Sequence, residues 1–186
     1  MEIRHLRVLG DVGQVVAVTY DIRDSDSLRA AMARSNVVIN LVGLGYETRN
    51  FSFDAVHHQA PALFAEVARE CGVERFLHVS ALNASVDSPS AFLKSKALGE
   101  QAVLKSYPDA TIFRPAIMFG KQDKFMNNYA KLMQLLPIVP LVNGGSGTIQ
   151  PVFVSGYQES VFRIDSSDEK KRCLVSRRCF RHCGDT

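Results

Sequence analysis

Ser80 and Lys96 are the residues whose types and spacing point most directly to chemistry. Ser80 ends the apolar run Arg75–Ser80 (RFLHVS), and Lys96 follows on a helical segment. That pairing suits a carbonyl-reducing site, in which Ser and Tyr polarise a carbonyl and Lys lowers the Tyr pKa. The acid belongs four residues before Lys96, and that residue is Phe92. A phenyl ring donates no proton, so the proton relay is broken as written. Tyr107 lies too far along the helix to substitute.

Other candidates are weaker. Asp21 follows the β-branched run Val15–Tyr20, where a carboxylate or its flanking backbone can meet an adenosine; a turn or helix-capping Asp explains it as well. Gly43 and Gly45 in NLVGLG allow a ligand close to the backbone, or simply make a strand-to-loop turn. Gly10-x-x-Gly13 is not read as a phosphate loop: Val16 stands where a third small residue belongs, and a strand follows instead of a helix. His57 and His58 project about 100° apart on a helix and cannot share one metal, so hydrogen-bonded or solvated histidines are expected. Cys173, Cys179, Cys183 and His182 lack a C-x-x-C pair, and no metal site is assigned to them.

These residues need a scaffold, and the periodicities supply one. Val15–Tyr20, Val37–Val42, Arg75–Ser80 and Thr111–Arg114 read as strands. Ser25–Ser35, Phe53–Cys71, Pro89–Tyr107 and Phe125–Leu136 read as helices, with Gly72 capping the second. Ile138–Val142 and Pro151–Val154 read as short extended pieces around NGGSG. Strands alternating with helices imply βαβ units and a parallel sheet of the doubly wound kind, with ligands at the strands' C-terminal ends. Residues 1–157 are read as one partial nucleotide-binding domain. Residues 158–186 are read as an irregular basic, Cys-containing tail.

At 186 residues and 46% hydrophobic content, the chain has ordinary globular composition. It contains no apolar run of about 18 residues, so a transmembrane helix is not expected. The first residues carry no signal core or presequence pattern. Residues 163–186 hold seven basic and four acidic residues, so the whole +3 net charge lies there. A neutral body with a basic end is not a nucleic-acid-binding surface. One Cys before residue 173, Cys71, fits a reducing compartment.

Asp21–Asp24, Asn36–Gly43, Gly72–Ser80, Lys96–Glu100 and Arg114–Gly120 together resemble an atypical, extended short-chain dehydrogenase/reductase. HLRVLGDVGQ, SNVVINLVG, ETRNFSFDAV, VERFLHVSALNA and FGKQDKFMN resemble, more closely, the nucleotide-binding accessory subunits of mitochondrial complex I, NADH:ubiquinone oxidoreductase. The likeness covers residues 4–156. It implies a Rossmann fold, bound NADPH, other complex I subunits as partners, a matrix-side position and a stabilising role without catalysis. It places Asp21 and Ile22 at the adenine, and Leu41, Val42 and Gly43 under the adenosine ribose and pyrophosphate. Ser80 and Lys96 face the nicotinamide ribose, with Pro115 and Ile117 near the carboxamide.

The sequence departs from the family at Phe92, at His57 (usually Asn) and at Ser155-Gly156 (where an Asp is expected). The family's first strand, glycine-rich turn, first helix and second strand are expected before Met1. Their absence predicts a sheet with a gap at its centre between Val15–Tyr20 and Val37–Val42, so that Val15–Tyr20 either moves in to pair directly or hangs off the domain. It also predicts that the helices Ser25–Ser35 and Phe53–Cys71 lose their floor, and that the chain alone binds dinucleotide weakly or not at all. The alternative functions are an NAD(P)-dependent reductase or epimerase, and a sugar- or quinone-interacting module without a cofactor.

Overall fold

The computed structural model describes residues 15–121, 123, 125–135, 146, 149–157, 159 and 173–175. In chain order the elements are α1 (Ser25–Met32), β1 (Val37–Asn40), a π-helical turn (Ala55–Gln59), α2 (Ala60–Glu70) and β2 (Arg75–Val79). They continue with α3 (Ala91–Ser106), β3 (Thr111–Arg114), β4 (Met118–Phe119), α4 (Phe125–Leu135), β5 (Val152–Phe153) and β6 (Cys173–Val175). β1, β2, β3 and β6 form one parallel sheet in that order, and β4 pairs with β5 in a second. Parallel neighbours separated by helices give the expected α/β architecture.

Local chemistry sets the element ends. Asp24 caps α1, its carboxylate accepting from the Asp26 and Ser27 N–H groups at 3.2 and 3.1 Å. Gly72 closes α2 at φ 70°, with its own N–H bonded to the Arg69 carbonyl and the Val73 N–H to that of Ala68. That is the six-to-one and five-to-two pattern that satisfies a helix's last carbonyls. α3 ends before Pro108, which cannot continue it.

Phe76 and Ile112 of the sheet pack with Leu28, Met32, Phe64, Val67 and Val103 in the main core. Leu28 and Met32 are buried, so α1 finds its floor on α2 and does not lose it as expected. A second cluster on the other sheet face joins Leu77, Phe113 and Tyr157.

Two readings are corrected. Val15–Tyr20 is not a strand: all six residues are exposed and none pairs with a described strand. A strand persists only where a neighbour accepts its ladder bonds. Here the principal tie is an edge-to-face contact of Tyr20 with Phe64, 6.2 Å between ring centroids. The described sheet therefore runs unbroken from β1, without the expected internal gap. Second, the region read as an irregular tail supplies β6. Cys173, Leu174 and Val175 pair in register with Ile112, Phe113 and Arg114, giving β3 its second neighbour. Three residues are too few for an alternation to show. Gly10, Gly13, Ile138–Val142, Cys179, His182 and Cys183 lie outside the described residues.

The helix Phe53–Cys71 also differs, because its first turn is a π-helical turn, with the Ala60 N–H bonded to Ala55 O. α3 crosses this turn at Gly99. A Cβ there would lie 1.8 Å from the His57 carbonyl oxygen and 3.0 Å from its carbon. Backbone thus packs on backbone, and no side chain fits between. Gly99→Ala is expected to lower the melting temperature by about 4–10 °C, from roughly 1–3 kcal/mol of overpacking. Helix propensity alone would raise stability. Gly45→Ala, where a Cβ meets nothing within 4 Å, should be neutral by the same thermal scan.

Candidate functional site

The strands' C-terminal ends converge on a cleft of about 1110 Å³. Leu41, Gly43, Ser80, Lys96, Pro115 and Ile117, all expected at a nucleotide, line it together. Phe92 and Gly45 line it too. Asp21, Ile22 and Val42 do not. Asp21 is exposed and caps its own turn, its carboxylate accepting from the Arg23 N–H at 2.9 Å. Ile22 and Val42 pack against the main core.

β2 delivers Ser80 to the floor of the cleft, and α3 delivers Lys96 beside it. Ser80 Oγ is buried and has no hydrogen-bond partner among the described residues. Lys96 is 6% exposed, and its Nζ donates to the Val79 carbonyl at 3.2 Å. Burial pushes its pKa down to about 8, against the opposing charge of Glu100 one turn along. Glu100 itself is committed elsewhere: its carboxylate accepts two Arg114 nitrogens at 2.5–3.1 Å, tying α3 to the end of β3. Gly43 passes over the amine, where an added Cβ would sit 3.3 Å from Lys96 Nζ and 3.7 Å from His57 Nε2.

His57 is fully buried and uses both ring nitrogens. The Leu44 N–H donates to Nε2 at 3.0 Å. Nε2 is therefore the acceptor, so Nδ1 carries the proton and donates to Ser95 Oγ at 3.0 Å. The Ser95 hydroxyl in turn donates to the Phe92 carbonyl at 2.8 Å. Phe53 stacks on the imidazole at 5.5 Å, and Phe92 meets it edge-on at 5.1 Å. Burial and the Lys96 charge push the pKa down to about 4. His58, by contrast, turns outward to Asp54 at 2.9 Å.

Sequence reasoning missed the Asn40–His78 pair. The parallel register sets them opposite each other on β1 and β2. Asn40 Oδ1 accepts from the Val42 N–H at 3.0 Å, so its amide nitrogen donates to His78 Nδ1 at 3.1 Å. That fixes His78 as the Nε2–H tautomer. Asn40 and His57 together hold residues 42 and 44 of the loop that lines the cleft. The available signal was a polar residue in each of two otherwise apolar strands, Asn40 in VVIN and His78 in RFLHV. Asn83, another lining residue, takes φ 66°, a conformation in which Asn is favoured over most residues.

The two buried histidines set an acid limit. His57 is held near 4 and His78 near 3, mainly by burial, whereas an unfolded histidine protonates near 6.5. Below pH 6.5 the unfolded chain takes up protons that the folded chain refuses, so stability falls as pH falls. The loss runs from 6.5 to about 4 for His57, and on the order of 3 kcal/mol is at stake. Thermal melts across pH 4–7 should show a steep acid decline that His57→Asn flattens.

A family profile described as NAD(P)H-binding matches residues 3–129. The chain is 49% identical over 152 residues to the mitochondrial NADH dehydrogenase [ubiquinone] 1 alpha subcomplex subunit 9 of Arabidopsis thaliana, covering 81% of this chain and 38% of that protein. It is 48% identical over 158 residues to the subunit of the same name from Rattus norvegicus, covering 84% and 42%. The chain thus spans about two fifths of the length of these relatives. In structure it resembles a UDP-glucuronic acid 4-epimerase from Bacillus cereus in complex with NAD, at TM-score 0.75 and 13% identity, covering 93% of this chain and 63% of that one. That likeness concerns the fold alone. With a profile spanning more than half its length, the chain belongs to the NAD(P)H-binding family.

Proposed function

We propose that this chain forms the nicotinamide-proximal part of an NADPH-binding, non-catalytic accessory subunit of respiratory complex I. The observation that carries the non-catalytic part is Phe92. Its ring lines the cleft beside Ser80 and Lys96, where a reductase needs a phenol, and it packs on His57 instead.

The residues present fit a nicotinamide nucleotide. Ser80 has a buried hydroxyl without a partner among the described residues, and the Lys96 ammonium has two N–H groups beyond the one given to Val79. Both suit the hydroxyls of a ribose. Gly43 leaves room for a ligand against the loop, and Leu41, Pro115 and Ile117 offer apolar surface to a ring. Asp21 and Ile22 remain assigned to the adenine side by the family resemblance. The bound nucleotide would supply structural cohesion between α3, β2 and the Leu41–Gly45 loop. In the proposed role it bridges elements and does not deliver hydride.

The 47–49% identical relatives named as mitochondrial complex I subunits support the partnership with other complex I subunits and a mitochondrial location, and the matrix-side position rests on the family resemblance. Among the described residues no helix is long and apolar enough to cross a membrane. An epitope-tagged chain is expected to comigrate with complex I on native gels of mitochondrial extracts and to remain matrix-facing in protease protection. Migration as a free protein would count against the partnership.

Saturating NADPH should raise the melting temperature of the purified chain, since at a hundredfold excess over Kd a ligand adds about 2.7 kcal/mol. The double variant Ser80→Ala, Lys96→Met should lose most of that shift. An unchanged melting temperature in the native chain would remove the cofactor assignment. Ser80 and Lys96 do meet in one cleft, which is what the reductase or epimerase reading requires. The native chain is expected to show no carbonyl-dependent NADPH oxidation. Oxidation appearing only in Phe92→Tyr would assign the silence to the missing phenol, and turnover by the native chain would favour the enzyme reading.

A further inference from the structure

We propose that Lys96 is a covalent modification site: a buried amine at the floor of the cleft that condenses with small aldehydes. Its accessibility is controlled by nucleotide, and that second clause alone rests on the function proposed above.

Three observations carry it. Lys96 lines a cleft large enough for a ring-sized molecule, and the residue directly over its Nζ is Gly43, which has no side chain to cover it. Among the described residues the amine has no acidic partner at hydrogen-bonding distance. Phe92 stands where a tyrosine would share its charge, and the Glu100 carboxylate is held by Arg114. Ser80 Oγ, in the same cleft and without a partner among the described residues, can donate to a carbonyl oxygen. A desolvated lysine without a counterion is the arrangement that activates amines toward carbonyl compounds. The downward shift of Lys96 to about 8 acts in the same direction.

The step balances without a redox partner. The neutral Nζ attacks the aldehyde carbon, and the C–N bond forms as the carbonyl π pair moves to oxygen. A proton passes from nitrogen to that oxygen, giving a carbinolamine. Loss of the oxygen as water leaves the imine, so amine plus aldehyde becomes imine plus water.

Near pH 7.5 an amine with pKa about 8 is roughly one quarter neutral, against about 0.1% for an ordinary lysine. Lower intrinsic nucleophilicity offsets part of that advantage, as Brønsted behaviour requires. At least a tenfold rate excess over exposed lysines should remain. The test treats the full chain with pyridoxal 5′-phosphate and, in parallel, with uncharged benzaldehyde. Borohydride traps the imine, and peptide mass spectrometry locates it. Lys96 is expected to label at least about tenfold faster than exposed Lys94 and Lys105, with both reagents, and faster still as pH rises to 8. Labelling of Lys96 no faster than those two, or with the phosphate reagent alone, would overturn the reactive-amine assignment. NADPH should suppress the adduct. Fast labelling that NADPH leaves unchanged would overturn the nucleotide control while leaving the amine assignment standing. Lys96→Arg should abolish the adduct at that peptide; the pH profile of the native chain carries the test if the variant fails to fold.

Discussion

The cleft depends on a neutral imidazole. His57 has one acceptor nitrogen and one donor nitrogen, and each is spent on a different element. The acceptor holds the loop after β1 at Leu44, and the donor holds α3 through Ser95. Only the uncharged ring can do both, because an imidazolium offers two donors and the Leu44 N–H would face one of them. The backbone contact at Gly99 brings the π-helical turn close enough for this to happen. The π-helical turn directs His57 inward and His58 outward. A local departure from α-helical winding thus positions two walls of the site, as single π turns near functional sites commonly do.

Around that ring the charges are arranged by subtraction. His57, His78 and Lys96 are three bases in one buried neighbourhood, and each is pushed toward its neutral form by desolvation. Three charges there would repel in a low-dielectric site. Neutral histidines leave Lys96 as the one that carries charge at neutral pH. Glu100, the nearby acid, divides its influence. It pairs with Arg114 at hydrogen-bonding distance and acts on Lys96 only through space. The result is an amine that is neither neutralised by a carboxylate nor shared with a phenol.

Much of this was legible in the residues. β1, β2, β3 and the helices following them stand out because the strands read as short apolar runs and the helices keep their three- and four-residue spacing, although β1 lies at the sheet's edge with Ile39 exposed. Gly72 was legible as a cap because few other residues take φ 70° there. The convergence of Leu41, Gly43, Ser80, Pro115 and Ile117 followed from placing them at strand ends of a parallel sheet, with Lys96 on the helix that follows Ser80. What was not legible depended on partners. Val15–Tyr20 has strand-forming residues, yet β propensity measures fit to a neighbour, and none of the described strands accepts it. β6 is the converse, a three-residue segment inside a basic stretch that becomes a strand because β3 offers an edge. Asn40 and His78 were unreadable as a pair because only the register between two strands sets them opposite each other.

Phe92 shows why loss of an acid need not leave a hole. The position sits on the first turn of α3, with its carbonyl accepting from Ser95 and its ring in a T-shaped contact with His57. Phe53 contacts both rings, so the three form a closed aromatic cluster. A tyrosine would keep the ring contacts and add a hydroxyl near the cleft, where Lys96 and Ser80 could receive it. A phenyl ring keeps the packing and removes the proton, so structure and catalysis separate at one atom. Selection for a cleft that holds a nucleotide would preserve the ring, the imidazole and the lysine, since these shape the walls and bind. It would place no demand on the oxygen. In this chain Ser80 and Lys96 are kept while Phe92 stands in the donor's place, which is the pattern that the proposed binding role expects.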